Sequence, residues 1–220
     1  MIKIAPSILS ADFSRLGDEI DSVKSAEYLH FDVMDGVFVP NISIGLPVLE
    51  CVRKATDMTL DIHLMISSPA RYAARFVEAG GDIIVFHVEA DTPENISSAI
   101  ATVRSMGKRP GLSIKPGTPA EALLPYIGAL SLALVMTVEP GFAGQEFIAA
   151  ALPKITELRR VIDSRALGCE IEVDGGINAE TAKLCVKAGA DVLAAGSSIF
   201  RSSDRAAAIA ELRLGGTSPP

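Results

Sequence analysis

The strongest constraint on this chain is a regular alternation of short apolar segments and longer amphipathic segments through almost all of its 220 residues. The short segments are rich in Ile, Val and Leu and predict buried strands, whereas the longer ones have apolar residues at helical spacing. The predicted strands are Ile2–Pro6, Tyr28–Met34, Thr59–Met65, Ile83–His87, Arg109–Ile114, Leu132–Thr137, Glu170–Val173 and Val192–Ala195. The predicted helices include Phe13–Ser25, Ala70–Ala79, Asn95–Met106, Ala149–Asp163 and Ala179–Ala188. Strands that alternate with helices favour parallel βαβ units with right-handed crossovers.

Eight such units in about 200 residues fit a single (β/α)8 TIM barrel, an α/β fold whose active site lies at the C-terminal ends of the strands. The alternative is an open doubly wound sheet, which normally carries a glycine-rich turn after its first strand. Here that turn is Pro6–Ser10 and contains no glycine, so the barrel is favoured. The barrel is expected to span residues 1–214, with residues 215–220 as a frayed tail.

Composition and charge narrow the range of partners. Hydrophobic residues make up 49% of the chain, enough for a sizeable core, and the formal net charge is −7 with no basic run. This balance argues against a nucleic acid or an anionic membrane surface as partner. No apolar stretch reaches the roughly 18–20 residues of a membrane span, and the first residues do not resemble a secretory signal. A cytoplasmic location is therefore expected.

The cysteines support the same expectation. Cys51, Cys169 and Cys185 are odd in number and widely spaced, and no CxxC motif occurs. Neither a disulfide framework nor a thiolate zinc site is indicated by this pattern. We interpret all three as buried, reduced thiols of a cytosolic protein.

Rare polar residues fall at the ends of the predicted strands, where the active sites of such barrels form. His30 and Asp32 are two residues apart on one strand, so their side chains point to the same face. Four such residues form a candidate ligand set for a divalent cation, with Zn, Fe, Mn and Co all compatible. They are His30, Asp32, His63 and Asp174. Any one alone is equally consistent with a hydrogen-bonded buried polar group, but the four together favour a metal. Asp35 is out of phase with Asp32 and is expected to order the turn at Gly36 instead.

Glycine-rich loops follow the last three predicted strands. Glycine lets the backbone approach a ligand closely, and backbone amides can bind phosphate without any Lys or Arg. Each loop alone could be an ordinary turn, but three in adjacent loops predict a phosphate site, and loops seven and eight recur as one in this fold. The candidate positions are Gly141, Phe142, Ala143, Gly144, Gly175, Gly176, Gly196 and Ser197.

Seven segments together resemble the ribulose-phosphate 3-epimerase family, in the family's order and over residues 5 to about 200. They are Ala5–Asp12, His30–Gly36 with Phe38–Asn41, His63–Met65, Phe86–Glu89, Lys115–Thr118, Val135–Phe142 and Glu172–Gly176. The resemblance implies a metal-dependent isomerase of the pentose phosphate pathway, and a homo-oligomer is expected. It also implies metal ligation by the four residues above, with Asp32 and Asp174 as the acid/base pair and His63 and Ser7 at the substrate. Three methionines, Met34, Met65 and Met136, match family residues that line the reaction centre, although ordinary core filling would also explain them.

The chemistry behind this assignment can be stated independently. In a 2-ketose 5-phosphate the C2 carbonyl acidifies the C3 proton, and a cation beside the C2 and C3 oxygens would stabilise the enediolate. Inversion at C3 needs one base on each face of the substrate. The hypothesis is that Asp32 removes the proton in one direction and Asp174 returns it to the other face, interconverting D-ribulose 5-phosphate and D-xylulose 5-phosphate.

Three alternatives stay open at this stage. Ala143 replaces a glycine that many family members carry, which leaves D-allulose 6-phosphate 3-epimerase as a rival on the same scaffold. A non-catalytic phosphate-binding barrel is disfavoured by the intact ligand set. An aldolase would need a lysine at the barrel mouth, and Lys115 is the candidate. The connection Ser25–Tyr28 is also shorter than is usual in the family, so a trimmed first helix or loop is expected.

Overall fold

The computed structural model describes residues 1–215, and its centre is a barrel of eight parallel strands. The strands are β1 (Lys3–Pro6), β2 (Tyr28–Met34), β3 (Thr59–Met65), β4 (Ile83–His87), β5 (Arg109–Ile114), β6 (Leu132–Met136), β7 (Glu170–Asp174) and β8 (Val192–Ala195). Their order in the sheet is β1-β8-β7-β6-β5-β4-β3-β2, and a parallel bridge between Ser7 and His30 joins β1 to β2. The predicted (β/α)8 barrel is therefore confirmed.

Helices alternate with these strands on the outside. They are α1 (Leu16–Asp21), α2 (Leu46–Ala55), α3 (Ala73–Glu78), α4 (Pro93–Ser105), α5 (Leu152–Ser164), α6 (Ala179–Ala188), α7 (Ser197–Phe200) and α8 (Arg205–Leu214). The connection between β5 and β6 holds only two short 3-10 helices, Ala120–Leu123 and Ile127–Ala129. Sequence periodicity had not predicted α2, α7 or α8.

The first helix is shorter than predicted. Asp12 caps a 3-10 turn at Phe13–Arg15 by accepting from the Ser14 amide, and α1 then ends at Asp21 rather than at Ser25. The Ser22 hydroxyl donates to the Glu19 carbonyl oxygen at 2.6 Å, so a side chain binds a carbonyl oxygen in the last turn of the helix. Such local side-chain bonds compete with helix continuation, which explains the early end.

Alternation along the strands separates two apolar layers. On β2, Leu29, Phe31 and Val33 belong to the large cluster between the sheet and the helices, which also contains Leu49 and Val52 of α2. A second cluster fills the barrel itself with small and aliphatic side chains from alternate positions. Because a strand has a side-chain period of two, His30 and Asp32 face the barrel interior.

The N-terminal mouth of the barrel is filled by a polar network at the starts of four strands. Lys3 Nζ and Arg109 Nη1 donate to the Tyr28 hydroxyl oxygen at 2.7 and 3.0 Å. The Tyr28 hydroxyl donates to Glu170 Oε2 at 2.8 Å, and Lys3 also forms an ion pair with Glu170. We call these four residues the lower network.

The cysteine prediction was correct for two residues and wrong for one. All three thiols are free, and Cys169 and Cys185 are buried, which raises the pKa of each to about 12. Cys51 is exposed on α2, since it faces away from the sheet. Among residues 1–215, no helix combines the length and apolar character that a membrane crossing needs. Of the predicted tail, residues 216–220 lie outside the described residues.

Candidate active site

The ends of β2, β3 and β7 bring the four predicted metal ligands together. One ligand atom from each of His30, Asp32, His63 and Asp174 lies within 4.8 Å of the other three. His30, Asp32 and His63 are buried, and Asp174 is 16% exposed through its side chain. The register explains the convergence, because Asp32 pairs with His63 across β2 and β3.

His30 is oriented by a carboxylate behind it. Its Nδ1 is 2.6 Å from Asp61 Oδ2, so Nε2 points to Asp32 Oδ1 at 3.3 Å and Asp174 Oδ2 at 3.9 Å. That Nε2 atom is buried and has no hydrogen-bond partner. Burial alone would lower the pKa of His30, but the Asp32 and Asp61 charges outweigh it and hold the pKa well above its usual value.

Glu172 and Asp61 form a second acidic group beneath His30. Both are fully buried, and Glu172 Oε1 is 3.4 Å from His30 Nδ1. Burial and the neighbouring Asp61 charge raise the pKa of Glu172 well above its usual range, which favours the neutral acid. The 2.6 Å contact between His30 and Asp61 is too short for an ion, because metal–ligand bonds of 2.0–2.2 Å place ligand atoms roughly 3 Å apart. This group therefore supports His30 by hydrogen bonding.

The two catalytic candidates have different surroundings. Ser7 Oγ donates to Asp32 Oδ2 at 2.6 Å, which leaves Oδ1 directed at His63 Nδ1 3.2 Å away. Burial would raise the pKa of Asp32, but His30 and His63 outweigh it and hold the pKa below the usual range. Burial and the Asp32 charge raise the pKa of Asp174 to about 6. Two carboxylates in one site thus differ in basicity when no cation is bound.

Behind His63 lies a further histidine. His63 Nε2 is 2.9 Å from His87 Nε2, and His87 Nδ1 is 3.2 Å from Glu89 Oε2. His87 is fully buried, and burial lowers its pKa to about 4. Burial would raise the pKa of Glu89, but hydrogen bonds from His87 and Thr118 hold it at about 2. His87 is thus neutral and Glu89 ionised.

A cavity of about 510 Å³ opens above Asp32 and Asp174 at the C-terminal ends of the strands. Apart from His63, all the residues that were predicted to bind substrate line this cavity. These are Ser7, Met34, Met65, Met136, Gly141, Phe142, Ala143, Gly144, Gly175, Gly176, Gly196 and Ser197. His30 and His63 do not line the cavity, since they lie behind the two carboxylates and face it only through them.

Side chains hold the glycine-rich loops in place. Thr137 Oγ1 donates to the Gly175 carbonyl oxygen at 2.6 Å, and Asn41 Nδ2 donates to the Gly141 carbonyl oxygen at 2.8 Å. Gly176 has φ +65°, and a Cβ atom there would lie 2.9 Å from the Phe147 backbone. Only glycine fits this position without moving the Phe147 backbone. Because Gly176 has no side chain, its backbone itself lines the cavity.

Two other residues considered in the sequence have clear positions. Asp35 accepts from the amides of Val37, Phe38 and Ser67, so it orders the turn at Gly36 as predicted. Lys115 does not line the cavity, and its Nζ lies 3.8 Å from the centre of the Phe38 ring. This position does not support a Schiff-base aldolase.

Sequence reasoning missed the residues that support the histidines and part of the cavity wall. Asp61 and Glu172 each stand two positions before a predicted ligand on the same strand, so the alternation that linked His30 to Asp32 would have found them. His87 and Glu89 were only part of a family segment. The additional cavity-lining residues include Ser10, which was only part of a family segment, and Asn178 and Arg201, which were not proposed to bind substrate.

The donor set fits a divalent cation. Two imidazole nitrogens and two carboxylate oxygens from three strands lie close together, which is a usual set for first-row metals. The unpartnered Nε2 of His30 supports this fit, because buried polar atoms normally have a partner.

Comparisons with known proteins agree over nearly the full length. Residues 3–200 match the model of the ribulose-phosphate 3 epimerase family. The chain is 48% identical to ribulose-phosphate 3-epimerase of Bacillus subtilis, an alignment that covers 97% of this chain and 99% of the relative. It is 47% identical to the Mycobacterium tuberculosis protein of that name, covering 96% and 91%. These relatives do not favour the allulose 6-phosphate alternative.

A solved structure with little sequence identity shares the fold. The structure described as 3-hexulose-6-phosphate synthase from Salmonella typhimurium superposes with a TM-score of 0.74 at 17% identity. The superposition covers 98% of this chain and 99% of that one. At this identity the likeness supports the barrel architecture alone.

Proposed function

This chain belongs to the ribulose-phosphate 3-epimerase family, and we propose that it interconverts D-ribulose 5-phosphate and D-xylulose 5-phosphate by two-base proton transfer at C3. The relatives are epimerases, so the chain is an isomerase. The observation that carries the mechanism is the placement of Asp32 and Asp174, which come from β2 and β7, two strands separated by β1 and β8, and line the same cavity. Inversion of a carbon needs a base on each face of the substrate.

In the proposed mechanism the chain holds the carboxylates ready for proton transfer. Ser7 fixes Asp32 by donating to Oδ2, and Oδ1 points to His30 and His63. Asp32 accepts the C3 proton on one face and Asp174 donates a proton on the other, with the roles exchanged in reverse. When bound by His30, Asp32, His63 and Asp174, a divalent cation (Zn, Fe, Mn or Co) would supply positive charge beside the oxygens where negative charge develops.

The glycine loops are proposed to bind the phosphate. Gly141–Gly144, Gly175–Gly176 and Gly196–Ser197 line the same cavity as Asp32 and Asp174. Closely approaching backbone amides can satisfy phosphate oxygens. His63 is proposed to act on substrate only through the metal cluster, since it does not reach the cavity wall. The three methionines are proposed to form the apolar wall beside the sugar.

The cellular setting is part of the proposal. The substrate pair places the enzyme in the pentose phosphate pathway. Free cysteines fit a reducing compartment, which supports a cytoplasmic location. A homo-oligomer is proposed by analogy with barrels of this kind.

A coupled assay tests the function. The purified chain is supplied with D-ribulose 5-phosphate, and formation of D-xylulose 5-phosphate is followed before chelation, after chelation and after addition of Zn²⁺, Fe²⁺, Mn²⁺ or Co²⁺. We expect turnover that is lost with the chelator and regained with at least one cation. Absence of turnover with every cation would refute the substrate assignment, and D-allulose 6-phosphate would then be tested under the same conditions.

A further inference from the structure

His87 is a fully buried histidine that the proposed reaction does not use. It ends β4 and does not line the cavity, yet its Nε2 atom lies 2.9 Å from Nε2 of His63. The two rings are 5.1 Å apart between centroids and nearly parallel, with an interplanar angle of 28°. His87 therefore contacts a proposed metal ligand on the side that faces away from the metal site.

For a neutral His87, the distances allow only one satisfactory placement of the protons. Two ring nitrogens 2.9 Å apart share a single proton, so one imidazole donates and the other accepts. Glu89 Oε2 lies 3.2 Å from Nδ1 of His87 and needs a donor there. A neutral His87 that donates through Nδ1 has a free lone pair on Nε2, and His63 must then donate through its own Nε2.

The consequence falls on the other nitrogen of His63. With the proton on Nε2, the Nδ1 lone pair is free and points to the cluster, 3.2 Å from Asp32 Oδ1 and 3.7 Å from Asp174 Oδ2. The opposite tautomer would place a proton on Nδ1 and prevent ligation. In that arrangement His87 would also turn a lone pair toward the Glu89 carboxylate.

We propose that His87 is a positioning residue that holds His63 in the one tautomer able to bind a metal through Nδ1, with Glu89 fixing His87 in turn. The inference rests on the proposed metal site. It gives a role to the segment Phe86–Glu89, which the reaction itself leaves unexplained. His87 acts only through His63 and contacts neither substrate nor cation.

The arrangement is anchored by neighbouring loops. Glu89 Oε1 accepts from the Lys115 amide at 2.8 Å and from the Thr118 hydroxyl. On the other side, the Phe38 ring packs 4.9 Å from the His87 ring. Loops after β2, β4 and β5 thus hold His87 in place, which makes its orientation a product of the assembled barrel.

Metal binding by matched variants tests the proposal. His87→Leu removes the acceptor, whereas His87→Gln keeps an amide oxygen that can accept from His63 and an amide nitrogen that can donate to Glu89. Ser113→Ala is the control, because Ser113 is buried beside His87 on the next strand and its hydroxyl has no hydrogen-bond partner. Co²⁺ is titrated into each metal-free full-length variant, and affinity is read from the absorption of the bound ion.

We expect His87→Leu to bind Co²⁺ about 10–100-fold more weakly, the usual loss when an outer partner of a ligand is removed. His87→Gln and Ser113→Ala should stay within about threefold of the parent. Equal affinity of His87→Leu and the parent would overturn the proposal, as would an equal loss in His87→Gln and His87→Leu.

A second measurement needs no variant and decides the matter if His87→Leu does not fold. The chain has only three histidines, so ¹⁵N spectra of the Zn²⁺-loaded parent can be fully assigned. We expect a proton on Nε2 of His63 and a coupling across the hydrogen bond to Nε2 of His87. A proton on Nδ1 of His63 would overturn the inference. A parent that binds metal with this tautomer but does not turn over the pentulose phosphate would instead refute the proposed function alone.

Discussion

Both mouths of this barrel contain buried or half-buried charged side chains. The mouths differ in whether those side chains have hydrogen-bond or ion-pair partners within the chain. In the lower network every charged group has a partner of the opposite sign or a hydroxyl, and Tyr28 accepts from two cations while donating to Glu170. At the C-terminal mouth, His30 Nε2 has no hydrogen-bond partner, and Asp32 and Asp174 crowd together.

This difference suggests a division of roles, in which the lower network stabilises the fold and the C-terminal mouth serves the proposed function. Burying an unpaired polar atom costs free energy, so folded proteins retain such atoms where something else satisfies them. The lower network closes the barrel floor and is complete within the chain. The cluster of His30, Asp32, His63 and Asp174 would be completed by the proposed cation and substrate. Four predictions test this division.

The largest effect is expected from the two proposed catalytic carboxylates. Asp174→Asn and Asp32→Asn should each lower kcat by about 10²–10⁴-fold, because each removes one of two bases. Glu170→Gln is the control, because Glu170 is an acid at the other end of β7 from Asp174. This variant should keep kcat within about threefold of the parent value. Steady-state assays of the three variants make the comparison, and near-parental turnover in either Asn variant would rule out the two-base scheme.

Metal removal should lower the free energy of unfolding by its effect on the C-terminal mouth, and the lower network should make no difference to it. At a free cation concentration about 100 times the Kd, binding adds about 2.7 kcal/mol to the free energy of unfolding. Thermal denaturation with and without chelator should therefore show a higher Tm for the loaded protein. His30→Gln should abolish most of this difference and Tyr28→Phe should retain it. An equal loss in both variants would mean that the two mouths are not independent.

The phosphate loop offers a smaller test. Gly176→Ala places a Cβ atom 2.9 Å from the Phe147 backbone, so the loop must move and KM should rise about tenfold. Gly107→Ala is the matched control, since Gly107 has a similar φ of +74° but nothing within 4 Å of the added atom, and it lies between α4 and β5. Kinetics with D-ribulose 5-phosphate compare the two, and equal KM values would remove Gly176 from the phosphate site.

The smallest effect belongs to the lower network. Tyr28→Phe removes a hydroxyl that takes part in three hydrogen bonds but leaves the Lys3–Glu170 ion pair in place. We expect a loss of about 1 kcal/mol in the free energy of unfolding, with unchanged kcat and KM. Denaturant unfolding measures the free energy of unfolding, and the coupled assay measures kcat and KM. A fall in kcat beyond threefold would contradict the assignment of this mouth to stability.

Strand positions were predictable from the sequence, and helix ends were less so. Tyr28–Met34 and Thr59–Met65 were predicted to the residue, because apolar residues at every second position alternate there with the few polar residues that face the barrel interior. Phe13–Ser25 was predicted too long, since hydrogen bonds of Asp12 and Ser22 to the backbone decide where that helix begins and ends. The helices α2 and α8 were not predicted, although α2 is clearly amphipathic and buries Leu49 and Val52 on one face.

The sequence by itself determined the barrel and the identity of the four candidate ligands, because both follow from local periodicity and from the rule that barrel sites form at strand ends. Only the tertiary structure decided what stands behind those ligands. His30 meets Asp61 because β2 and β3 pair in the register that places them side by side. His63 meets His87, and His87 in turn meets Glu89, because three loops pack around the His87 ring. Contacts across strands depend on register and shear, which no single segment of the chain encodes.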